Sequence, residues 1–246
     1  MLRGLRLAVV VPAYDEAPRV GRVLAGIPRW VDDVVVVDDA SRDGTADVAR
    51  SSSDPRVDVL RHPRRRGVGA AIATGYAHAF GRGADVVVVM AGDGQMDPAD
   101  LPALVAPVVG RAADYVTGDR LSHVELPRMP RLRRIGNRCL TRLTRWVTGL
   151  DVGDAQCGFT ALSARGARRL DLDGLWPGYG YPNDLLAQAG AAGLRVARVV
   201  VRPIYGDERS GVRIWHAVVV IPFVLLRRVW LERRRRRRPS RCVSGS

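Results

Sequence analysis

Lysine is absent from this chain: all 39 basic residues are arginine. The codon usage of a GC-rich genome explains the bias. Phosphate chemistry loses nothing by it, because guanidinium keeps its charge and its bidentate fit to phosphate. Cysteine is scarce as well. Cys139, Cys157 and Cys242 lie far apart with no CxxC pair, which argues against a structural zinc site or a disulfide framework and fits a reducing, cytosolic setting. The four histidines, His62, His78, His123 and His216, show no metal-ligand spacing. Aromatic residues make up 6% of the chain, too few for a row of base-stacking platforms, and no nucleic-acid module is visible. The net charge of +14 is therefore not read as a specific nucleic-acid site. Long apolar runs are missing too. The N-terminal MLRGLRLAVVVP stops at Pro12 without a small-residue cleavage site and reads as a first strand, not a signal peptide. Ile214 to Leu226 is apolar, but as a helix it reaches roughly 20 Å against a hydrocarbon core of about 30 Å.

What the chain does have is valine. Two runs, Val34 to Val37 and Val86 to Val89, each end in acids: VVVVDDASRDGT and VVVVMAGDGQMDP. A continuous aliphatic run is the mark of a strand buried on both faces, as in parallel sheets, and the carboxyl ends of such strands are where open α/β sheets bind ligands. Strand and helix signals alternate. Strands are expected at Leu7–Val11, Val34–Val37, Val57–Leu60 and Val86–Met90, with helices at Ala17–Gly26, from Thr45, at Val68–Phe80 and at Pro98–Val109. This rhythm predicts a mostly parallel sheet with right-handed crossovers. Beyond it, Arg131–Thr148 reads as a basic amphipathic helix, Phe159–Ser163 as a strand, Asn183–Ala192 as a helix and Leu194–Val201 as a strand. With 246 residues and 47% hydrophobic content, one α/β domain is expected over 1–211. An amphipathic, interfacial helix follows over 212–232, with Trp215 and Trp230, and a polybasic disordered tail over 233–246. The competing reading of that helix is a last core-packing helix.

Four polar clusters carry the chemistry. Pro12, Tyr14, Asp15 and Glu16 follow the first strand, where a tyrosine can lie along a nucleobase. Asp38, Asp39 and Asp43 crowd after the second; capping accounts for Asp43 or Ser41, but not for two adjacent carboxylates. Arg64-Arg65-Arg66-Gly67-Val68-Gly69 opens a helix, and its amides could approach a phosphate. Asp93 and the Gln95 amide offer hard oxygen ligands for Mg2+ or Mn2+ alongside substrate phosphates, whereas Asp97-Pro98 reads as a helix start.

Taken in order and spacing, PAYDE, VVVDDASRDGT, RGVGAAIATGYAHA, GDGQMDP, GDR, RRIGN, DAQCGF and PNDLL resemble a family 2 glycosyltransferase of the GT-A fold, in the dolichol-phosphate mannosyltransferase-like or undecaprenyl-phosphate glycosyltransferase branch. The resemblance implies that Pro12, Tyr14, Glu16, Val37 and Asp39 hold the nucleoside of a GDP- or UDP-hexose donor. Asp93 and Gln95 would hold the metal on its diphosphate, with Gly92 in backbone contact. Arg120, Arg133 and Arg134 would neutralise phosphate, and Asp154 to Phe159 would line the sugar and acceptor side. Asp184 falls where an acid stands near the acceptor, and serves as base if that acceptor is a hydroxyl. One departure stands out: the family's Asp-x-Asp begins here with Ala91. A lighter metal site and a loss of activity are the two explanations, and the intact GDGQMDP context favours the first.

The implied reaction is inverting hexose transfer to a polyprenyl phosphate, catalysed by a peripheral protein on the anionic inner face of the plasma membrane. The basic Arg128–Arg138 segment and the tail agree with that. The alternatives are a hydroxyl acceptor, an impaired homologue, nonspecific nucleic-acid adhesion and a nucleotidyltransferase. The last would be expected to open on a glycine- and arginine-rich loop with a lysine, not on PAYDE.

Overall fold

Both valine runs are strands buried on both faces. The computed structural model describes residues 2–126, 129, 131–204 and 219–237. Strands β1 (Leu7–Ala13), β2 (Asp33–Asp38), β3 (Val57–Arg61) and β4 (Val86–Val89) pair in parallel, and every residue of β1 and β4 is buried. Strands β5 (Tyr115–Asp119), β6 (Thr160–Ser163) and β7 (Val196–Val200) complete a seven-stranded sheet in the order β3-β2-β1-β4-β6-β5-β7. β6 runs antiparallel to both its neighbours, while β5 and β7 are parallel.

The period of two along each strand explains why the valines are continuous. Val9, Val11, Val34, Val36 and Val88 face one layer with α1 (Ala17–Gly26) and α4 (Leu101–Val109), where Val20, Leu24, Leu104 and Val105 meet them. Val10, Val35, Val37, Val87 and Val89 face the other layer with α3 (Val68–Gly81) and α7 (Tyr181–Ala191), represented by Ile72, Tyr76, Leu185 and Leu186. The remaining helices are α2 (Thr45–Arg50), α5 (Arg131–Thr148), the short α6 (Ala164–Ala167) and α8 (Ile221–Arg237).

β5 is the strand that sequence patterning does not reveal; it is short, and its Gly118 and Asp119 are poor strand formers. Tertiary contacts secure its start. Asp114 is 3% exposed and accepts from the Arg195 amide (3.0 Å), Arg195 Nε (3.2 Å) and Arg165 Nε (2.9 Å). Burial pushes this carboxyl up, but the arginine donors outweigh it and hold it down at about 2. A carboxyl depressed in the folded state stabilises above its unfolded value and loses that contribution as pH falls. Acid unfolding followed by circular dichroism should therefore steepen from about pH 4 to about pH 2, and Asp114→Asn should flatten that limb while lowering stability at neutral pH.

α8 packs one face against the domain and leaves apolar residues exposed on another. Ile221, Val224, Leu225 and Arg228 are buried, and Ile221 and Leu225 pack with Leu140 of α5 and Ala187 of α7. Phe223, Leu226 and Trp230 stand 55%, 67% and 50% exposed. The helix does not give way to a tail after Glu232 but continues to Arg237, since arginine is a good helix former. Residues 205–218, with Trp215 and His216, and residues 238–246 lie outside the described residues. No described helix is long and apolar enough to cross a membrane.

Candidate active site

The sheet gathers its polar residues at one edge. The carboxyl ends of β1, β4 and β5 lie there, and the reversed direction of β6 brings the segment before it, Asp154 to Phe159, to the same edge. The strand order turns between β1 and β4, the position at which open α/β sheets form a crevice. A cleft of about 420 Å³ opens there. Pro12, Tyr14, Glu16, Asp39 and Asp93 line it from the strand ends, Arg65 and Gly67 from the entry to α3, and Trp176 and Tyr179 from the loop before α7. Ala91 and Val220 also stand in its wall. Five of the residues expected at the site from sequence thus meet in one cavity.

Hydrogen bonds lace the first two loops together. Ser41 Oγ accepts from the Asp15 amide (2.9 Å), Thr45 Oγ1 from the Glu16 amide (2.8 Å), and Asp43 Oδ2 from the Ala17 amide (2.9 Å). Asp43 thereby caps α1 across the loop while also accepting from the Thr45 amide at 3.0 Å. Asp15 takes a left-handed φ of 54° and accepts from the Arg42 amide at 2.8 Å. Tyr14 is held facing the cleft, with the Arg65 guanidinium 3.9 Å above its ring centroid.

Asp38 and Asp39 avoid mutual repulsion by turning to different partners. Asp38 is fully buried, accepts from the Ser41 amide (3.2 Å) and pairs with Arg61 (3.1 Å). Asp39 accepts from the Arg66 amide (2.8 Å) and the Gly67 amide (2.7 Å), and lies 2.7 Å from Nδ1 of buried His62. His62, which no spacing rule singled out, spans from Asp39 to Thr74 Oγ1 at 3.0 Å. The amides of the arginine-glycine turn are therefore not a phosphate cradle. Gly67 N–H is spent on Asp39, and Gly69 and Ala70 N–H on the Pro177 carbonyl at 2.8 and 3.3 Å. Val37 is a second correction: its side chain is wholly buried in the core layer under α3, because it lies one residue inside the strand end.

After β4, Gly92 sits against the β1 end, where a Cβ would come within 3.2 Å of Ala13 Cβ, so the backbone runs close along the cleft floor. Asp93 is half-buried and its Oδ1 accepts from the Gln95 amide at 3.0 Å. Asp97 accepts from the Ala99 amide at 2.9 Å and starts the turn into α4, as expected of a cap. Among the described residues no three His, Cys, Asp or Glu side chains gather as a metal cluster. One carboxylate with a neighbouring amide side chain is a donor set for an ion carried mainly by a ligand's own phosphates.

Arg120 stands at the end of β5, largely buried, with Nε 2.7 Å from Asp154 Oδ2. Gln156 Nε2 donates to Asn183 Oδ1 at 3.0 Å, tying the segment before β6 to α7. Burial pushes the Cys157 thiol up to about 11 despite nearby Arg120, so it is no thiolate nucleophile. Arg133 and Arg134 occupy the first turn of α5, half-buried and outside the cleft lining. Asp184 is the third correction. It is fully buried and gripped by Arg228 at 2.7 and 2.8 Å, so it cannot serve as a base for an acceptor in the cleft. Trp176 and Tyr179 line the cleft, and Trp176 also meets Phe223 of α8 edge-on at 6.0 Å.

The mostly parallel sheet, with one reversed strand and a crevice at its switch point, is a GT-A fold. The fold is shared with the crystal structure of Mycobacterium tuberculosis glucosyl-3-phosphoglycerate synthase in complex with phosphoglyceric acid, at a TM-score of 0.72 and 24% identity, covering 92% of this chain and 80% of that one. The chain belongs to glycosyl transferase family 2, whose model matches residues 8–170. It is 34% identical over 227 residues to the undecaprenyl-phosphate mannosyltransferase of Micrococcus luteus, covering 87% of this chain and 92% of the relative. It is 30% identical over 214 residues to the polyprenol monophosphomannose synthase of Mycolicibacterium smegmatis, covering 83% and 78%.

Proposed function

We propose that the chain moves a hexose, with inversion, from GDP- or UDP-hexose to a polyprenyl phosphate at an anionic membrane surface. The observation that carries this reading is the contact between Trp176 of the cleft wall and Phe223 of α8. It joins the cleft to an apolar stripe of Val219, Phe223, Leu226 and Trp230, each at least half exposed. A basic ridge on α5, with Arg131, Arg138, Arg142 and Arg145 beside exposed Ile135 and Trp146, adds charge suited to anionic headgroups. An acceptor with a phosphate head and a hydrocarbon tail matches such a path, and the two named relatives point to the same acceptor class.

Residues of the cleft and of the segments around it divide the work. Tyr14 and Arg65 offer flat faces to the base, and Glu16 lies beside them for the ribose. Asp93 and Gln95 are the residues that would hold Mg2+ or Mn2+ on the donor diphosphate. When bound, that ion supplies charge neutralisation for the leaving group. Arg120, Arg133 and Arg134 supply further positive charge for donor or acceptor phosphate. The acceptor phosphate oxygen attacks the anomeric carbon from the face opposite the leaving group. The bond from that carbon to the diphosphate oxygen breaks, and its electron pair departs with the nucleoside diphosphate. A phosphate oxygen is already anionic near neutral pH, so no general base is needed, which agrees with the burial of Asp184.

The test is incubation with radiolabelled GDP-mannose, UDP-glucose or UDP-N-acetylglucosamine, a polyprenyl phosphate and manganese or magnesium, followed by organic extraction. Label in the organic phase from one donor is the expected result. Nucleotide release without lipid label would move the acceptor to another class, and neither signal with any donor would favour an impaired homologue.

A further inference from the structure

Arg228 heads the fully buried side chains by volume among the described residues, at 1% exposed, and it comes from a helix that sequence placed at the periphery. Its Nε lies 2.7 Å from Asp184 Oδ1 and its Nη2 2.8 Å from Oδ2, the two-pronged fit of guanidinium to carboxylate. Nη2 also donates to the Gly174 carbonyl at 3.0 Å, and Nη1 lies 3.6 Å from Asp171 Oδ2. On the far side, Asp184 Oδ2 accepts from the Trp176 amide at 2.9 Å. The pair therefore grips the loop before α7 at Gly174 and Trp176 together. Trp176 is a wall of the cleft, and the next residue, Pro177, receives the first free amides of α3. Val220, which leads into α8, lines the same cleft.

A buried ion pair is a poor source of stability, because desolvating both charges offsets most of their attraction; a packed apolar pair often does as well. What a forked pair supplies is a fixed geometry. We infer that Arg228 is a positioning residue for donor binding: through Asp184 and the backbone at Gly174 and Trp176 it sets the wall against which the nucleotide-sugar lies. The inference rests on the reading of this cleft as the donor site. It also gives α8 a task inside the site in addition to its exposed apolar stripe.

The experiment uses the full chain and titrates UDP and GDP by calorimetry, with thermal unfolding measured on each variant. Arg228→Met alone strands a buried carboxylate and risks misfolding. The deciding variant is therefore the double change Arg228→Met with Asp184→Asn, which removes both charges at once. It is expected to fold and to bind the diphosphate that the unaltered chain prefers at least tenfold more weakly. Arg228→Lys keeps the charge without the fork and is expected to fall in between. It decides the matter if the double variant does not fold. A folded double variant, or failing that a folded Arg228→Lys, that binds within about twofold of the unaltered chain overturns the inference and leaves the pair a structural contact. If the unaltered chain binds neither diphosphate, the donor reading itself falls, and the inference with it.

Discussion

Asp93→Ala is expected to lower sugar transfer by on the order of a thousandfold while leaving the fold intact, the scale on which loss of a key charge-stabilising group acts. Asp93 lines the cleft just past the end of β4, in the turn that leads to the α4 cap. Its bond from the Gln95 amide is a local turn contact, so losing it costs about 1 kcal/mol. The chemical cost is far larger because the position two residues before it carries no second acid. Ala91, where the family's first aspartate belongs, also lines the cleft and contributes only a methyl group. Asp39 is committed to the Arg66 and Gly67 amides and to His62. Transfer assays with saturating donor, beside thermal unfolding, separate the two costs. A variant that keeps a tenth or more of the activity would show that the diphosphate is managed by the arginines alone. Ala91→Asp is the companion test. It restores the second carboxylate and should let transfer proceed at lower manganese or magnesium. If the unaltered chain is inert and Ala91→Asp is active, the chain is an impaired homologue.

The half of the fold carrying β1 to β4 was legible because β1, β2 and β4 are buried on both faces, so their valines run without interruption, while the half-buried β3 alternates Val57, Asp58 and Val59. α5 was legible because its polar and apolar residues keep a helical period. β5 escaped because five residues ending in glycine and aspartate carry no such pattern, and Asp114 with its two arginines supplies what local sequence does not. The reversal of β6 has no signal in its own residues, yet it is what brings Asp154 to Phe159 to the sheet edge where the cleft opens. The acids after each strand located the cleft well. Their partners were not legible, because hydrogen bonds decide which of two adjacent carboxylates faces it. Asp39 lines the cleft, whereas Asp38 is buried and pairs with the exposed Arg61. Asp184 illustrates the limit most clearly. An acid in the first turn of α7 reads as a candidate base until Arg228, 44 residues away, is seen to occupy it.

Gly69→Ala is expected to damage both the fold and the cleft by adding a single methyl group. The position needs no unusual dihedral; what it lacks is room. A Cβ there would lie 2.0 Å from the Trp176 carbonyl oxygen, 3.0 Å from Tyr181 Cβ and 3.1 Å from the Pro177 carbonyl carbon. Two of those three are backbone, so no rotamer change relieves the clash; the loop before α7 must move off the start of α3. That movement breaks the Gly69 N–H bond to Pro177, one of the early helix amides that has no acceptor within its own helix. Overpacking of this kind costs about 1–3 kcal/mol, and the lost hydrogen bond adds about 1 kcal/mol. Function should suffer more than stability, since the displaced loop carries Trp176 and Tyr179 out of the cleft wall. Nucleoside diphosphate binding is expected to weaken by at least tenfold. Gly136→Ala in α5 is the matched control: nothing lies within 4 Å of its Cβ, so the change should raise stability by about 0.5–1 kcal/mol and leave binding alone. If Gly69→Ala unfolds at the temperature of the unaltered chain and binds diphosphate as well, the loop and α3 are free to part. The cleft would then owe its shape to the strand ends alone.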